Sequence, residues 1–219
     1  MTLRSMEPSR KKLWFAAIKP PMYSVAVMPI WVGSAVAFAE TRSLNLLVFF
    51  TFLVSAILIL AWENLSNDVF DSETGVDVNK ANSVVNITGN KSLVFWISNL
   101  CLVSGLLGIL SIALFQHDFT VIGLILACCA IGYVYQGPPF RLSYKGWGEI
   151  LCFIAFGPLA FAAAYYSQTQ AWSNANFAAS IGVGIATSLV LFCSHFNQVN
   201  DDAAIGKKSP VVRLGAKRS

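Results

Sequence analysis

The chain has 219 residues, of which 56% are hydrophobic and only 12% charged, and its mean hydropathy is +0.62. A soluble domain carries roughly 25% charged residues, so an exterior built from this composition must be solvated by lipid. The net charge of +4 comes without any interleaving of basic and aromatic residues, which excludes nucleic acid as the partner.

Six apolar runs are long enough, or nearly so, to cross a hydrocarbon core, which takes about 20 helical residues. They lie near 21–39, 44–63, 93–115, 119–135, 148–167 and 174–196. The expected fold class is therefore all-α, a multi-pass transmembrane bundle forming one domain over 1–219, preceded by a basic cytoplasmic segment at 1–20. Short polar turns, Glu40 to Ser43, Gln116 to Asp118 and Ser167 to Ser173, join the spans as hairpins. No cleavage site of the A-x-A type follows the first apolar run, so no signal peptide is expected. Cys101, Cys128, Cys129, Cys152 and Cys193 all fall inside apolar runs and read as small buried hydrophobes.

Basic residues fix the expected orientation. Fourteen of the fifteen Lys and Arg fall in the two termini and the 64–92 and 136–147 loops, and only Arg42 lies in the opposite turns. The long polar loops should therefore face the cytoplasm or its organellar equivalent. The acids follow: Glu63, Asp68, Asp71, Glu73, Asp77, Glu149, Asp201 and Asp202 gather at that basic face.

A first polar motif runs from Glu63 to Asp77. If the second span continues as a helix, Asn64, Asp68 and Asp71 share a face at i, i+4 and i+7, with Asn67 at its border. Carboxylates at a membrane helix end are costly without a cation or water. Two of them one turn apart, flanked by carboxamides, suit Mg²⁺, which also keeps water and phosphate oxygens. Further on, the loop from Tyr133 through Tyr135, Pro138, Pro139, Arg141 and Lys145 to Glu149 places two cations beside a rigid turn. A second motif follows the sixth span. His195, Gln198 and Asp202 occupy one helical face, Asn197 and Asp201 form a neighbouring i, i+4 pair, and Lys207, Lys208 and Arg213 follow. Acids followed by cations are what a metal–diphosphate complex needs.

The first motif resembles the NxxNDxxDxxxGxD signature of the UbiA superfamily of intramembrane aromatic prenyltransferases. The stretch Gly206 to Gly215 resembles the GKxTxxVRLG ending of the branch acting on 1,4-dihydroxy-2-naphthoate, and the loop at 133–149 resembles the family's YxxPPxRLxxxGxGE segment. Asp77 to Lys80, Ser83 to Asn86 and Gln198 to Asp202 look like the cyanobacterial and plastid subgroup, which attaches a phytyl chain. In the broader family the second motif has two Asp four residues apart; here Gln198 stands at the first position and Asp202 at the second, with Asp201 adjacent. Family members have about nine transmembrane helices, so a chain ending at Ser219 after its sixth span is expected to lack the last three.

The resemblance implies a magnesium-dependent transfer of a phytyl or other prenyl group from its diphosphate to 1,4-dihydroxy-2-naphthoate with loss of carbon dioxide, in a cyanobacterial or plastid membrane. It implies that Asp68, Asp71 and Asp202 are catalytic and that these three with Asp201 hold the metal. It further implies substrate contacts from Asn64, Asn67, Lys91, Tyr135, Arg141, Asn197, Gln198 and Lys207. Lys19 is expected to be a snorkelling anchor, His117 inert, and His195 a ligand, a base or a packing residue. A transporter would place acids at mid-membrane, and here they cluster at one end. A relative acting on another aromatic acceptor and a non-catalytic membrane scaffold remain as alternatives.

Overall fold

Backbone groups in hydrocarbon can be satisfied locally only by a helix, and each of the six runs is helical in the computed structural model. The structure describes residues 10–74, 83–196, 199–204 and 206–215, without the side chains of Arg10, Pro21, Asn200 and Asp201. In chain order the helices are α1 (Arg10–Ile18), α2 (Tyr23–Thr41), α3 (Leu46–Thr74), α4 (Val84–Thr88), α5 (Lys91–Gln116), α6 (Thr120–Gln136), α7 (Gly148–Ile154), α8 (Ala160–Thr169), α9 (Asn174–Phe196), α10 (Val199–Ala204) and α11 (Pro210–Leu214). Five stretches are long and apolar enough to cross a membrane, counting α7–α8 as one; α6, with 17 residues, is the shorter sixth. No strand occurs among the described residues.

The polarity runs inside out. Trp31, Leu47, Phe50, Trp96, Leu100, Leu107 and Phe115 are exposed, while Asp68, Asp71, Gln136, Asn176, His195 and Asp202 are buried. Only lipid stabilises such an exterior, so the chain is a multi-pass membrane protein. Small residues let the helices approach closely, as membrane packing requires. A Cβ on Gly105 of α5 would stand 2.8 Å from the Ser55 carbonyl oxygen of α3. Ser66 and Ser98 hydrogen-bond across the same pair at 3.4 Å.

Two elements differ from the simple span pattern. The second span runs eleven residues beyond 63, to Thr74, so the first motif is helical throughout its described part. The fifth is broken: Pro158 has no N–H to donate, and a wide turn at Ala155–Leu159, with Gly157 outside helical geometry, separates α7 from α8. A side chain at Gly157 would meet Gly184 Cα and the Ser180 carbonyl at 3.0 Å, so α9 packs close against the break.

The three polar turns meet at one end of the bundle, here the far end. Ser173 Oγ donates to Glu40 at 2.9 Å, Tyr166 Oη to Asp118 at 2.8 Å, and Gln170 Nε2 to the Gln116 carbonyl at 3.1 Å. Both polar motifs stand at the opposite end, the mouth.

Candidate active site

One face of α3 builds half of the site. Phe52, Ala56, Ile59, Leu60, Glu63, Asn64, Asn67 and Asp71 recur at three- and four-residue intervals and line a cavity of about 650 Å³. The stripe is hydrocarbon first, then the Glu63 carboxylate, then the carboxamides of Asn64 and Asn67, then the Asp71 carboxylate at the mouth. Tyr135 and Gln136 of α6, Cys152 of α7, Thr187, Leu191 and His195 of α9, and Asp202 and Lys207 beyond it form the facing walls.

Tyr144 joins the two motifs across the mouth. Its hydroxyl donates to Asp71 Oδ1 at 2.7 Å and lies 3.0 Å from Thr74 Oγ1. The Lys207 ammonium sits 5.6 Å from the centre of its ring, within cation–π range. Burial, and then the Asp71 charge beside it, push the Tyr144 phenol above its usual range, so it stays a donor. Tyr144 is held in a tight turn, Leu142–Lys145, by the C-terminal segment: Lys208 N–H donates to the Tyr144 carbonyl at 2.8 Å. Gly146 makes that approach possible. Its φ is +85°, and a Cβ there would stand 2.6 Å from the Lys208 carbonyl oxygen.

Asp202 is 1% exposed and fully engaged. Lys207 Nζ lies 3.1 Å from Oδ1, and His195 Nδ1 lies 3.3 Å from Oδ2. The other ring nitrogen of His195 is 3.4 Å from Glu149 Oε1. Burial pushes the Asp202 carboxyl up, and the His195 hydrogen bond with the Lys207 charge outweighs it, holding the group below the usual carboxylate range. His195 is thus the buried link between two carboxylates, and Lys207 stands between Asp202 and Tyr144.

Asp68 is placed differently from Asp71. It sits at the edge of the α3 face, in the wall of a second, smaller cavity of about 310 Å³. Its Oδ1 pairs with Lys19 Nζ at 3.0 Å and its Oδ2 accepts the Val84 N–H at 2.8 Å. Lys19, expected as a surface anchor, instead turns inward through a left-handed backbone (φ 52°) and lines the larger cavity. The reason is charge: a buried Asp68 needs a cation. Glu73 takes both remaining expected phosphate contacts, with Lys91 Nζ at 2.7 Å and Arg141 Nη2 at 3.6 Å. The buried Nε of Arg141 and Nδ2 of Asn64 have no hydrogen-bond partner among the described residues.

The site thus brings together Asn64, Asn67, Asp71, Tyr135, Asp202 and Lys207 around one cavity; Asp68, Lys91 and Arg141 do not line it, and the last two meet at Glu73, two residues beyond Asp71. Asn197 and Gln198 lie outside the described residues, as does the side chain of Asp201. Lys145 is exposed and does not line the cavity. Among the described residues no three His, Cys, Asp or Glu side chains stand in ready-made metal geometry. The donor set of carboxylates and carboxamides facing one mouth nevertheless fits a hard cation that completes its shell with water and phosphate. Tyr144 and Lys19 carry no signal in residue type or spacing, and Glu149 stands in the sequence only among the acids of the basic face, at the end of the 133–149 loop; tertiary contact alone brings all three to the site.

A buried acid–base end above a lipid-clad, apolar cavity defines an intramembrane enzyme that handles an amphiphile with a charged head. The family model of the UbiA prenyltransferases matches residues 26–219, and the chain belongs to that family. It is 61% identical to the 2-carboxy-1,4-naphthoquinone phytyltransferase of Synechocystis over 97% of this chain and 69% of that one. It is 46% identical to the chloroplastic 2-carboxy-1,4-naphthoquinone phytyltransferase of Arabidopsis thaliana, again over 97% of this chain but 57% of the relative. A UbiA homologue from Archaeoglobus fulgidus, solved with DMAPP and Mg²⁺, shares the fold at a TM-score of 0.72 and 19% identity, over 94% of this chain and 70% of its own.

Proposed function

We propose that this protein transfers a phytyl group, or another prenyl group, from its diphosphate to 1,4-dihydroxy-2-naphthoate, with loss of carbon dioxide. The observation that carries the reading is the single graded cavity: hydrocarbon walls for a prenyl tail lead up to Asp71, Asp202 and Lys207, which suit a diphosphate and its cation. The names of the Synechocystis and Arabidopsis relatives support a phytyl donor and a carboxynaphthoquinone-type acceptor. The quinone ring itself is electron-poor, so the reacting nucleophile is its two-electron-reduced form, the dihydroxynaphthoate.

Mg²⁺, held by Asp71 and Asp202 with Asp68 beside them, would supply positive charge to the leaving diphosphate. The Mg²⁺ of the Archaeoglobus homologue supports this ion. Lys207 and Lys19 add charge from inside the cavity, and Arg141 and Lys91, which Glu73 now holds, would add theirs on release from it. Asn64 offers its unpartnered Nδ2 to an incoming acceptor oxygen. The apolar lower walls, Phe52, Ile59, Leu60 and Ile125 among them, exclude water that would capture an allylic cation. The excess of basic residues at the mouth and in the tail supports a cytoplasmic or stromal orientation.

The test uses membranes carrying the protein, labelled phytyl diphosphate and 1,4-dihydroxy-2-naphthoate, with Mg²⁺ or with EDTA. Formation of a decarboxylated phytyl naphthoquinol only in the presence of Mg²⁺ is expected. Equal product in EDTA would remove the metal from the reading, and product only from other aromatic acceptors would remove the naphthoate.

A further inference from the structure

Glu63 is the one carboxylate of the cavity wall that the reading above leaves without a task. It lies one turn deeper than Asn67 and two turns below Asp71, about 12 Å along the α3 axis at 1.5 Å per residue, and it still lines the same cavity. Its carboxyl group rests against Gly132 of α6, where a Cβ would stand 3.6 Å from Cδ and 3.7 Å from Oε1. A Cβ there would make only ordinary van der Waals contact, so the carboxylate packs against α6 without being crowded by it. Gln136 Nε2 donates to the Glu63 main-chain carbonyl at 2.8 Å and pins that turn of α3 to α6.

Among the described residues no hydrogen bond or ion pair reaches the Glu63 side chain, and Cys128, Cys129, Tyr135 and Cys152 share its part of the wall. Every other acid of the mouth described at side-chain level stands within ion-pair distance of a cation or histidine or accepts from a tyrosine, although Glu149 Oε1, 3.4 Å from His195, makes no hydrogen bond among the described residues. An unpaired carboxylate in the wall of a cavity, at the end of a membrane span, is expensive and marks a functional position. A diphosphate held at Asp71 and Asp202 stands too far up the cavity to use it. What reaches this depth, with a proton to share, is the aromatic acceptor.

We infer that Glu63 is a further catalytic residue that binds the ring hydroxyl next to the carbon being prenylated and takes up its proton. This rests on the proposed transfer to a dihydroxynaphthoate. As the C–O bond to diphosphate breaks and the ring carbon bonds the allylic carbon, the hydroxyl oxygen becomes a ketone and its proton passes to Glu63. Loss of carbon dioxide then returns the C–C electron pair to the ring. The resulting enolate takes the proton back, and Glu63 ends as it began. No outside oxidant, reductant or base is consumed. The contact also selects acceptors: an ether at that ring position has no proton to give.

The experiment measures kcat and KM for each substrate in the Mg²⁺-loaded protein in lipid, together with prenyl alcohol released by water in the absence of coupling. The acceptors are 1,4-dihydroxy-2-naphthoate and its 1-O-methyl ether. Glu63→Gln should lower coupling kcat by roughly 10²- to 10⁴-fold while leaving the KM for diphosphate within about twofold. Prenyl alcohol should rise relative to coupled product, and Glu63→Asp should recover part of the loss. The preference for the free hydroxyl over its ether should shrink in Glu63→Gln. A coupling kcat within about threefold of the parent, or equal loss of coupling, hydrolysis and diphosphate binding, overturns the inference and leaves Glu63 a packing residue. A parent protein that prenylates no hydroxynaphthoate overturns the proposed function itself, and the inference with it.

Discussion

Carboxylates meet tyrosines at both ends of this bundle, and only one end looks like an active site. At the far end Tyr165 donates to Glu40, and Tyr166 and the Thr120 N–H donate to Asp118. Neither acid pairs with a cation among the described residues, and both border exposed turns. Hydrogen bonds from Thr120, with that from Tyr166, hold Asp118 below the usual carboxylate range, as neutral donors alone can. At the mouth Tyr144 meets Asp71 in the same way, but Lys19, Lys207 and His195 line the same cavity, and Lys91 and Arg141 are held by Glu73, two residues further along α3. The acid–tyrosine pair therefore does not define the site. Cations held beside a cavity by acids they can exchange for phosphate do.

The largest effect should come from breaking the mouth. Asp71→Ala and Asp202→Ala are each expected to lower kcat by roughly 10³-fold, about 4 kcal/mol of barrier. Insertion and helicity should stay intact, as read by membrane yield and circular dichroism. Unchanged turnover in either variant removes that residue from the metal site. A smaller effect is expected for Tyr144→Phe, which keeps the ring under Lys207 and removes the bond to Asp71. Loss of a partner that orients a metal ligand costs roughly 10- to 100-fold in metal affinity or activity. The Mg²⁺ concentration for half-maximal rate should therefore rise, with kcat at saturating Mg²⁺ falling less. A Mg²⁺ titration that superimposes on the parent would make Tyr144 a packing residue.

Sequence alone carried the six spans, their hairpins and the two motifs, because apolar length and charge placement are properties of residues in order. It placed Asn64 and Asp71 on one α3 face with Asn67 at its border, and all three line the cavity, since helical spacing decides that. It put Asp68 on the same face, and by angle alone the assignment holds. The difference between Asp68 and Asp71 arises from what stands opposite each: Lys19 and the Val84 N–H on one side, Tyr144 on the other. Those partners are 49, 16 and 73 residues away in the chain, beyond any local pattern. The break at Pro158 was legible in principle from the proline. The close approach of Gly157 to Gly184 was not, because it depends on how α9 returns.

The smallest effect should come from the far end, and it sharpens the comparison most. Tyr165 is 5% exposed and its hydroxyl goes to Glu40, an acid that also receives Ser173 Oγ. Tyr165→Phe removes one donor and leaves the acid a second one at an exposed turn, where water replaces the first. The expected cost is about 1 kcal/mol of stability, seen as a small fall in the thermal midpoint, with kcat and both KM values unchanged. The same chemical deletion at Tyr144 should cost at least as much stability, because Asp71 is buried, and should in addition move the Mg²⁺ titration. If Tyr165→Phe lowers kcat instead, the far turns are coupled to the mouth through α2 and α8, and the two ends cease to be separable. Identical responses at the two ends would mean that the cations around the mouth, and not Tyr144, set the position of Asp71.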